Sequence, residues 1–270
     1  MSTPAASAQA YDRGVTTPAL LEHTIGQALA QTAARFGERE ALVVPQQGVR
    51  WSWGELLQRS DALAAGLLAL GLVPGDRVLL RLGNTPDFPV AFLGAIAAGL
   101  VPVPTSTQLT VPEITAMAAR IAPALIIAAD GIALPEGMPC PVLPAARLHA
   151  MADLPPCGWH MGAPDRPAYA VFTSGTSGHP QAVLHAHRAI WARRMMHSGW
   201  EGLGEADRLL HAGAFNWTYT LGTGLMDPWT VGATALIPGA GVTPDQLPLL
   251  LKRFDATILA AAPGVIRQML

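Results

Sequence analysis

Helical and extended patterns alternate along the chain from Trp51 onward, and this alternation constrains the fold more than any other feature. Segments with apolar residues at helical spacing are separated by short apolar runs, which are typical of buried parallel strands. Such alternation is the pattern of an α/β protein, in which helices cover the faces of a parallel sheet. We therefore expect a layered α/β fold with two mostly parallel sheets flanked by helices.

A βαβαβ unit is predicted in the first half of the chain, after a capped helix. Ser52 and Glu55 form a capping-box pair at the start of that helix, and Gly71 ends it. Thr110 and Glu113 form a second such pair. The predicted unit consists of strands at 77–82, 100–103 and 124–129, a helix at 86–98 and a helix that follows Thr110.

A second alternating unit is predicted after a stretch rich in proline. Residues 135–167 carry clustered prolines and few periodic apolar residues, so we expect an irregular surface crossing there. The second unit is predicted to hold strands at 168–172, 182–185, 208–211, 233–237 and 256–261 and helices at 188–199, at 243–254 and from 263. The expected organisation is a flexible N-terminus at 1–19, a first α/β subdomain at 20–134, the crossing at 135–167 and a partial second α/β subdomain at 168–270.

Composition excludes several classes of protein. A chain that is 50% hydrophobic and 13% charged is not disordered, and a net charge of -2 gives no broad cationic surface for nucleic acid. The most apolar stretch, at 90–103, is interrupted by Gly94, Gly99 and Pro102 and is too short to span a membrane. Cys140 and Cys157 show no disulfide spacing, and the start of the chain has no apolar signal core, so we expect a cytoplasmic protein.

The run Thr-Ser-Gly-Thr-Ser-Gly-His-Pro at 173–180 carries the strongest chemical signal. It follows an apolar strand, and its glycines and hydroxyl side chains allow backbone N–H and Oγ groups to converge on a phosphate. It is not a Walker A loop, because that motif has four residues between its glycines. Here only two residues lie between Gly175 and Gly178, and Pro180 follows. A shorter fragment would be explained as a surface turn, but the length and order favour a phosphate-binding loop.

This run resembles the signature of the adenylate-forming, or AMP-binding, superfamily, which includes acyl- and aryl-CoA ligases, carrier-protein adenylation domains and luciferases. Four earlier segments are similar to the family in the same order: Trp-Ser-Trp-Gly-Glu-Leu at 51–56, Gly-Leu-Val-Pro-Gly-Asp-Arg-Val at 71–78, Asn-Thr-Pro-Asp-Phe at 84–88 and Gly-Leu-Val-Pro-Val-Pro at 99–104. The resemblance covers about residues 27–270. It implies the large N-terminal domain of these enzymes, with the second layer incomplete.

The resemblance implies a ligase reaction. A carboxylic acid and ATP give an acyl-adenylate and pyrophosphate with Mg²⁺, and the acyl group then passes to coenzyme A. The ATP phosphates would be held by Thr173, Ser174, Gly175, Thr176, Ser177 and Gly178. The family usually has Pro-Lys-Gly where this chain has Pro180, Gln181 and Ala182, so a neutral donor replaces a cation. Arg193, Arg194 or a metal are the candidates to compensate, and weakened nucleotide binding is the alternative.

Aromatic residues later in the chain predict an apolar substrate pocket. Trp217 and Tyr219 match a family region whose aromatic residues wall the carboxylate site, and the alternative is an ordinary buried aromatic cluster. His185 and His187 share one side of a predicted strand, but no third ligand has a convincing spacing, so we expect no metal site there. We assign no catalytic residue from the sequence.

Three hypotheses remain open. The first is the N-terminal part of an acyl- or aryl-CoA ligase, inactive alone because the family's later adenine, ribose and hinge segments are not matched. The second is a non-catalytic remnant that binds a nucleotide, a carboxylate or a protein partner, which Gln181 favours. The third is an adenylation domain that loads a carrier protein. The sequence does not decide the oligomeric state.

Overall fold

The computed structural model describes residues 24–173 and 180–270. Its strands form two larger sheets and one hairpin. The strands are β1 (Glu40–Val44), β2 (Val49–Ser52), β3 (Arg77–Arg81), β4 (Val101–Pro104), β5 (Leu125–Ala128), β6 (Val142–Pro144), β7 (Pro167–Thr173), β8 (Gln181–Ala186), β9 (Arg208–His211), β10 (Thr234–Leu236) and β11 (Ile258–Ala260).

Helices connect and cover these strands. They are α1 (Ile25–Phe36), α2 (Trp53–Ala69), α3 (Asp87–Ala97), α4 (Val111–Ile121), α5 (Ala146–Met151), α6 (Ala189–Met196), α7 (Thr218–Leu221), α8 (Asp227–Val231), α9 (Leu247–Arg253) and α10 (Pro263–Met269). Two π-helical turns, His197–Glu201 and Gly222–Met226, follow α6 and α7. Within the described parts of the chain, no helix is both long and apolar enough to cross a membrane.

The predicted caps and the first βαβαβ unit are confirmed. The Ser52 backbone N–H donates to Glu55 Oε2 at 2.8 Å, and the Thr110 N–H donates to Glu113 Oε2 at the same distance. Strands β3, β4 and β5 pair in parallel, with α3 and α4 as the crossover helices. Strand β6 extends this sheet beside β5, which gives the strand order β4-β3-β5-β6.

The second sheet joins strands from distant parts of the chain. Its order is β11-β9-β10-β1-β2, in which β1 pairs in parallel with β10 and antiparallel with β2. The predicted first subdomain at 20–134 therefore supplies two strands to the sheet of the second. Among the described strands, β11 has β9 as its single neighbour and forms the edge of this sheet. The two larger sheets confirm the predicted layered α/β class.

Two local expectations differ from the structure. Residues 135–167 were expected to be irregular, but β6 and α5 lie within them. Strand β6 is only three residues long, and its one proline, Pro144, is tolerated because the strand lies at a sheet edge. The strands predicted at 168–172 and 182–185 were expected to belong to a mostly parallel sheet. In the structure β7 and β8 form an antiparallel hairpin, which packs beside β4.

The main core lies where helices α1, α2, α3 and α8 pack on the sheets. Trp53, Phe92 and Trp229 are fully buried in it, and the Trp229 indole N–H donates to the Ala41 carbonyl at 2.9 Å. Gly94 on α3 lets α2 approach closely, since a Cβ atom there would lie 2.9 Å from Leu63 Cδ2. A residue without a side chain is therefore needed at this contact between α2 and α3.

Candidate functional site

A cleft of about 610 Å³ opens at the carboxyl ends of the parallel strands in both sheets. Five strand ends place a residue in its lining: Leu82 after β3, Thr105 after β4, Ala129 after β5, Ala212 after β9 and Pro238 after β10. In open α/β sheets, ligands bind outside the carboxyl ends of the strands. The topology therefore makes this cleft the candidate site.

Asn84 connects the two sides of the cleft. Its side-chain N–H group donates to the Gly213 carbonyl at 2.7 Å, and its Oδ1 accepts from the Phe215 N–H at 3.2 Å. Phe88, at the start of α3, stacks on Phe215 with ring centroids 4.8 Å apart. The loop after β3 is thus fixed to the aromatic segment after β9.

Hydroxyl groups line the side of the cleft next to the β7–β8 hairpin. Thr105 is buried, and its Oγ1 donates to the Leu80 carbonyl at 3.0 Å. A smaller cavity of about 160 Å³ shares Thr105, Ser106 and Asn216 with the main cleft and is also lined by Thr173 and Pro180. The ends of the predicted phosphate loop therefore line the smaller cavity that adjoins the cleft. Ser174, Gly175, Thr176, Ser177 and Gly178 lie outside the described residues.

The two predicted aromatic residues occupy different positions. Trp217 lines the cleft, and 66% of its surface is exposed. Tyr219 is 42% exposed and lies on α7, outside the described lining, where it packs edge-on against His211 with centroids 4.6 Å apart. Burial and the negative charge of Glu201 raise the pKa of the Tyr219 phenol. The side chain of Tyr219 therefore lies against His211 and close enough to Glu201 to feel its charge.

Comparison with known proteins decides the family. The sequence family described as AMP-binding enzyme matches residues 29–270. The chain belongs to the AMP-binding enzyme family. A 4-hydroxybenzoate–CoA/benzoate–CoA ligase of Rhodopseudomonas palustris is 30% identical over 263 residues, which cover 87% of this chain and 46% of the ligase.

Two further relatives broaden the comparison. A long-chain-fatty-acid–CoA ligase of Mycobacterium tuberculosis is 30% identical over 186 residues, which cover 62% of this chain and 35% of the ligase. The crystal structure of a benzoate–CoA ligase from Burkholderia xenovorans LB400 superposes with a TM-score of 0.82 at 25% identity and covers 91% of this chain and 51% of that one. The chain thus spans about half the length of the first relatives or less.

Gln181 is the residue at which the sequence resemblance predicts a lysine in the family. It is exposed at the start of β8, directly opposite Thr173 in the hairpin register. Arg193 and Arg194 were the predicted substitutes for the lysine, but neither lines the cleft or the cavity beside it. Arg193 is bound to Asp227, and the guanidinium of Arg194 lies 4.3 Å from the ring centroid of Trp191. The described lining of the cleft contains no charged side chain.

A buried polar network joins α6 to α8 and to the two π-helical turns. Arg193 Nε donates to Asp227 Oδ1 at 2.7 Å, and Arg193 Nη2 donates to Asp227 Oδ2 and, at 3.2 Å, to Thr223 Oγ1. Thr223 Oγ1 in turn donates to Glu201 Oε1 at 3.1 Å. Burial alone would raise the pKa of Asp227, but the facing His197 and Arg193 hold it below its ordinary value. Burial and the charge of Asp227 raise the pKa of Glu201.

Three members of this network could in principle ligate a metal. One ligand atom each from His197, Glu201 and Asp227 lies within 4.8 Å of the others. Arg193 already bonds both carboxylate oxygens of Asp227 and supplies the positive charge there. We therefore interpret the cluster as an ion-pair network. His185 on β8 and His187 just after it have separate partners, since His185 stacks on Tyr169 and His187 Nδ1 accepts from the Ile25 N–H at 3.4 Å.

Sequence reasoning missed the two side chains that organise this region. Asn84 was noted only as part of a family segment, and Asp227 was not singled out. An acidic residue within an apolar stretch, Leu-Met-Asp-Pro-Trp at 225–229, is a usable signal, because a buried carboxylate requires a partner. The identity of that partner, Arg193, depends on tertiary structure.

Proposed function

We propose that this chain is the part of an AMP-forming carboxylate–CoA ligase that binds ATP and the carboxylic acid. The proposal is carried by the cleft at the strand ends, next to a smaller cavity that Thr173 and Pro180 line at the two ends of the predicted phosphate loop. In the proposed reaction a carboxylate oxygen attacks the α-phosphorus of ATP, and the bond to pyrophosphate breaks. The thiol of coenzyme A then attacks the acyl carbon, and AMP leaves.

The described residues fit a nucleotide through neutral donors. Thr105, Ser106, Thr173 and Asn216 present hydroxyl and amide groups where the two cavities meet. Such donors stabilise charge when they are fixed before binding. Thr105 supplies no free donor, because its single hydroxyl proton is donated to the Leu80 carbonyl. The described lining offers no carboxylate for Mg²⁺, so we assign no step to that ion.

An apolar carboxylic acid is the proposed second substrate. Trp217 and Phe215 give the cleft an aromatic wall, and Tyr219 is proposed to complete it. Coenzyme A is the proposed acceptor, since two relatives at 30% identity are named as CoA ligases. A carrier protein remains the alternative acceptor.

The test uses a non-hydrolysable benzoyl-sulfamoyl adenosine, which mimics the acyl-adenylate and spans both proposed subsites. Calorimetric titration of the 270-residue chain is expected to show saturable binding. Trp217→Ala is expected to weaken this binding about tenfold or more. Trp200→Ala is the matched control, because Trp200 is equally exposed, at 70%, and lies on the turn after α6. Absence of binding, or equal losses in the two variants, contradicts the proposal.

Gln181 favours a second candidate, a protein that binds these ligands without ligation. The reaction distinguishes the two. Exchange of labelled pyrophosphate into ATP, dependent on the carboxylic acid, supports the ligase. Tight binding of the analogue by a chain joined to the C-terminal part of a relative, without such exchange, supports the binding protein.

A further inference from the structure

Arg81, the last residue of β3, is charged at a position where a buried parallel strand usually has an apolar residue. Strand β3 is paired on both sides, with β4 and with β5, and its residues from Val78 to Arg81 are buried. Arg81 itself is 0% exposed. A fully buried charge is costly unless it is paired or hydrogen-bonded, so the partners of this guanidinium group are informative.

The partners of Arg81 are backbone carbonyl groups in two loops. Its Nη1 donates to the Ser106 carbonyl and its Nη2 to the Leu109 carbonyl at 3.4 Å, both in the loop after β4. Its Nε and Nη2 donate to the Ala133 carbonyl, in the loop after β5, at 3.0 and 2.8 Å. One side chain therefore joins the loops that follow the two strands beside β3.

No carboxylate neutralises the charge of Arg81 within the described parts of the chain. None of the ion pairs there includes this residue. Burial lowers the pKa of the guanidinium to about 10, so the group is positively charged at neutral pH. Water and salt screen a buried charge less than an exposed one, so this charge acts over a longer distance than a charge on the surface.

The loop that Arg81 holds forms a wall next to the predicted phosphate loop. Ser106 and Leu109 line the smaller cavity of about 160 Å³, which Thr173 and Pro180 also line. Ser106 lines the main cleft as well. The guanidinium of Arg81 therefore lies one hydrogen bond behind the wall that the two cavities share with the ends of the phosphate loop.

We infer that Arg81 is a positioning residue for the phosphate groups of ATP, which fixes the loop after β4 and supplies positive charge from behind the wall of the cleft. The inference rests on the proposed function, since it concerns the ATP that the cleft would bind. Arg81 acts through Ser106 and Leu109 and does not touch the ligand. It provides a charge that Gln181 lacks and that the described lining does not offer.

The experiment uses inorganic tripolyphosphate, which carries the charge of the ATP phosphates without the nucleoside. Calorimetric titration of the 270-residue chain without Mg²⁺ is expected to show saturable binding that competes with ATP. Arg81→Met removes the charge, and Arg81→Gln removes it but keeps N–H donors for the carbonyls. Each variant is expected to weaken tripolyphosphate binding about tenfold, and binding of the adenylate analogue, which lacks the β- and γ-phosphates, by less than about twofold.

The matched control is Arg77→Met, at the other end of the same strand. Arg77 donates to the Ile121 and Ala122 carbonyls at 2.6 and 3.0 Å, and the described lining of the two cavities includes neither of these residues. This variant removes the same charge and a similar set of bonds, and it is expected to bind tripolyphosphate as the wild type does. Equal losses in Arg77→Met and Arg81→Met overturn the inference, because net charge alone would explain them.

The remaining outcomes are also distinct. Folded Arg81 variants that bind tripolyphosphate as tightly as the wild type overturn the inference. Equal losses of tripolyphosphate and of the adenylate analogue overturn it too, because they indicate a purely structural role. If neither variant folds, the wild type decides: displacement of ATP by tripolyphosphate supports the inference, and its absence overturns it. Failure of the wild type to bind both ATP and the analogue contradicts the proposed function itself.

Discussion

The side-chain amide of Asn84 donates to the carbonyl oxygen of Gly213 at 2.7 Å, across 129 residues of sequence. This bond joins the loop after β3 in one sheet to the segment after β9 in the other. The same side chain accepts from the Phe215 N–H, so one residue satisfies two backbone groups at the floor of the cleft. The relative position of the two cleft walls depends on it.

Asn84→Ala is expected to destabilise the fold by about 1–3 kcal/mol, because it leaves the Gly213 carbonyl and the Phe215 N–H without their partner. Weaker binding of the adenylate analogue should accompany this loss. Urea unfolding and calorimetry measure the two effects. Gln108→Ala is the control on the rim of the cleft, where the side chain is exposed. Equal unfolding midpoints for the two variants would falsify the bridging role.

Gln181→Lys is expected to strengthen ATP binding about tenfold at low salt. A charge-assisted hydrogen bond to phosphate is roughly twice as strong as a neutral one, and the described lining has no other cation. Salt should reduce the gain, because the position is exposed. Gln31→Lys on α1 adds the same charge away from the cleft and controls for net charge. If the two variants bind ATP alike, the proposed position of the phosphates is wrong.

Local signals predicted much of the fold. The capping pairs at Ser52 and Thr110 fix helix starts through neighbouring residues, so four residues of sequence suffice to identify them. The parallel order of β3, β4 and β5 follows from the right-handed crossover that each helix makes. Both features depend on short-range chemistry.

Long-range pairing accounts for what was missed. Strand β1 was not predicted, although Ala-Leu-Val-Val at 41–44, followed by Pro45, is an apolar run with a turn signal. Its partner β10 lies about 190 residues later, with Leu42 opposite Ala235, and no local pattern specifies that pairing. In the candidate site, the phosphate loop stays a prediction from the sequence, and Trp217 lines the cleft that the fold forms. The bond from Asn84 to Gly213 and the ion pair of Arg193 required the assembled structure.

Gly222→Ala is expected to destabilise the fold by about 1–3 kcal/mol, the usual cost of overpacking a filled site. The added methyl group would overlap the Arg193 guanidinium, which cannot withdraw without losing its bonds to Asp227. Gly199→Ala is the control in the other π-helical turn, where a Cβ atom would meet nothing within 4 Å. Chemical denaturation that gives both variants the same stability would show that the ion pair yields readily.

Acidification is expected to destabilise the protein partly through His211. Burial lowers the pKa of its imidazole to about 4, from 6.5 in the unfolded chain. Between these values the unfolded chain binds more protons than the folded one, so this contribution is complete above pH 6.5 and is lost as pH falls toward 4. The slope reaches about 1.4 kcal/mol per pH unit. His211→Phe keeps an aromatic ring against Tyr219 and removes the titration. The unfolding free energy of this variant, measured from pH 7 to pH 4, should fall less than that of the wild type. If the unfolding free energies of the two proteins fall equally over this range, His211 has the same pKa in the folded and unfolded chains.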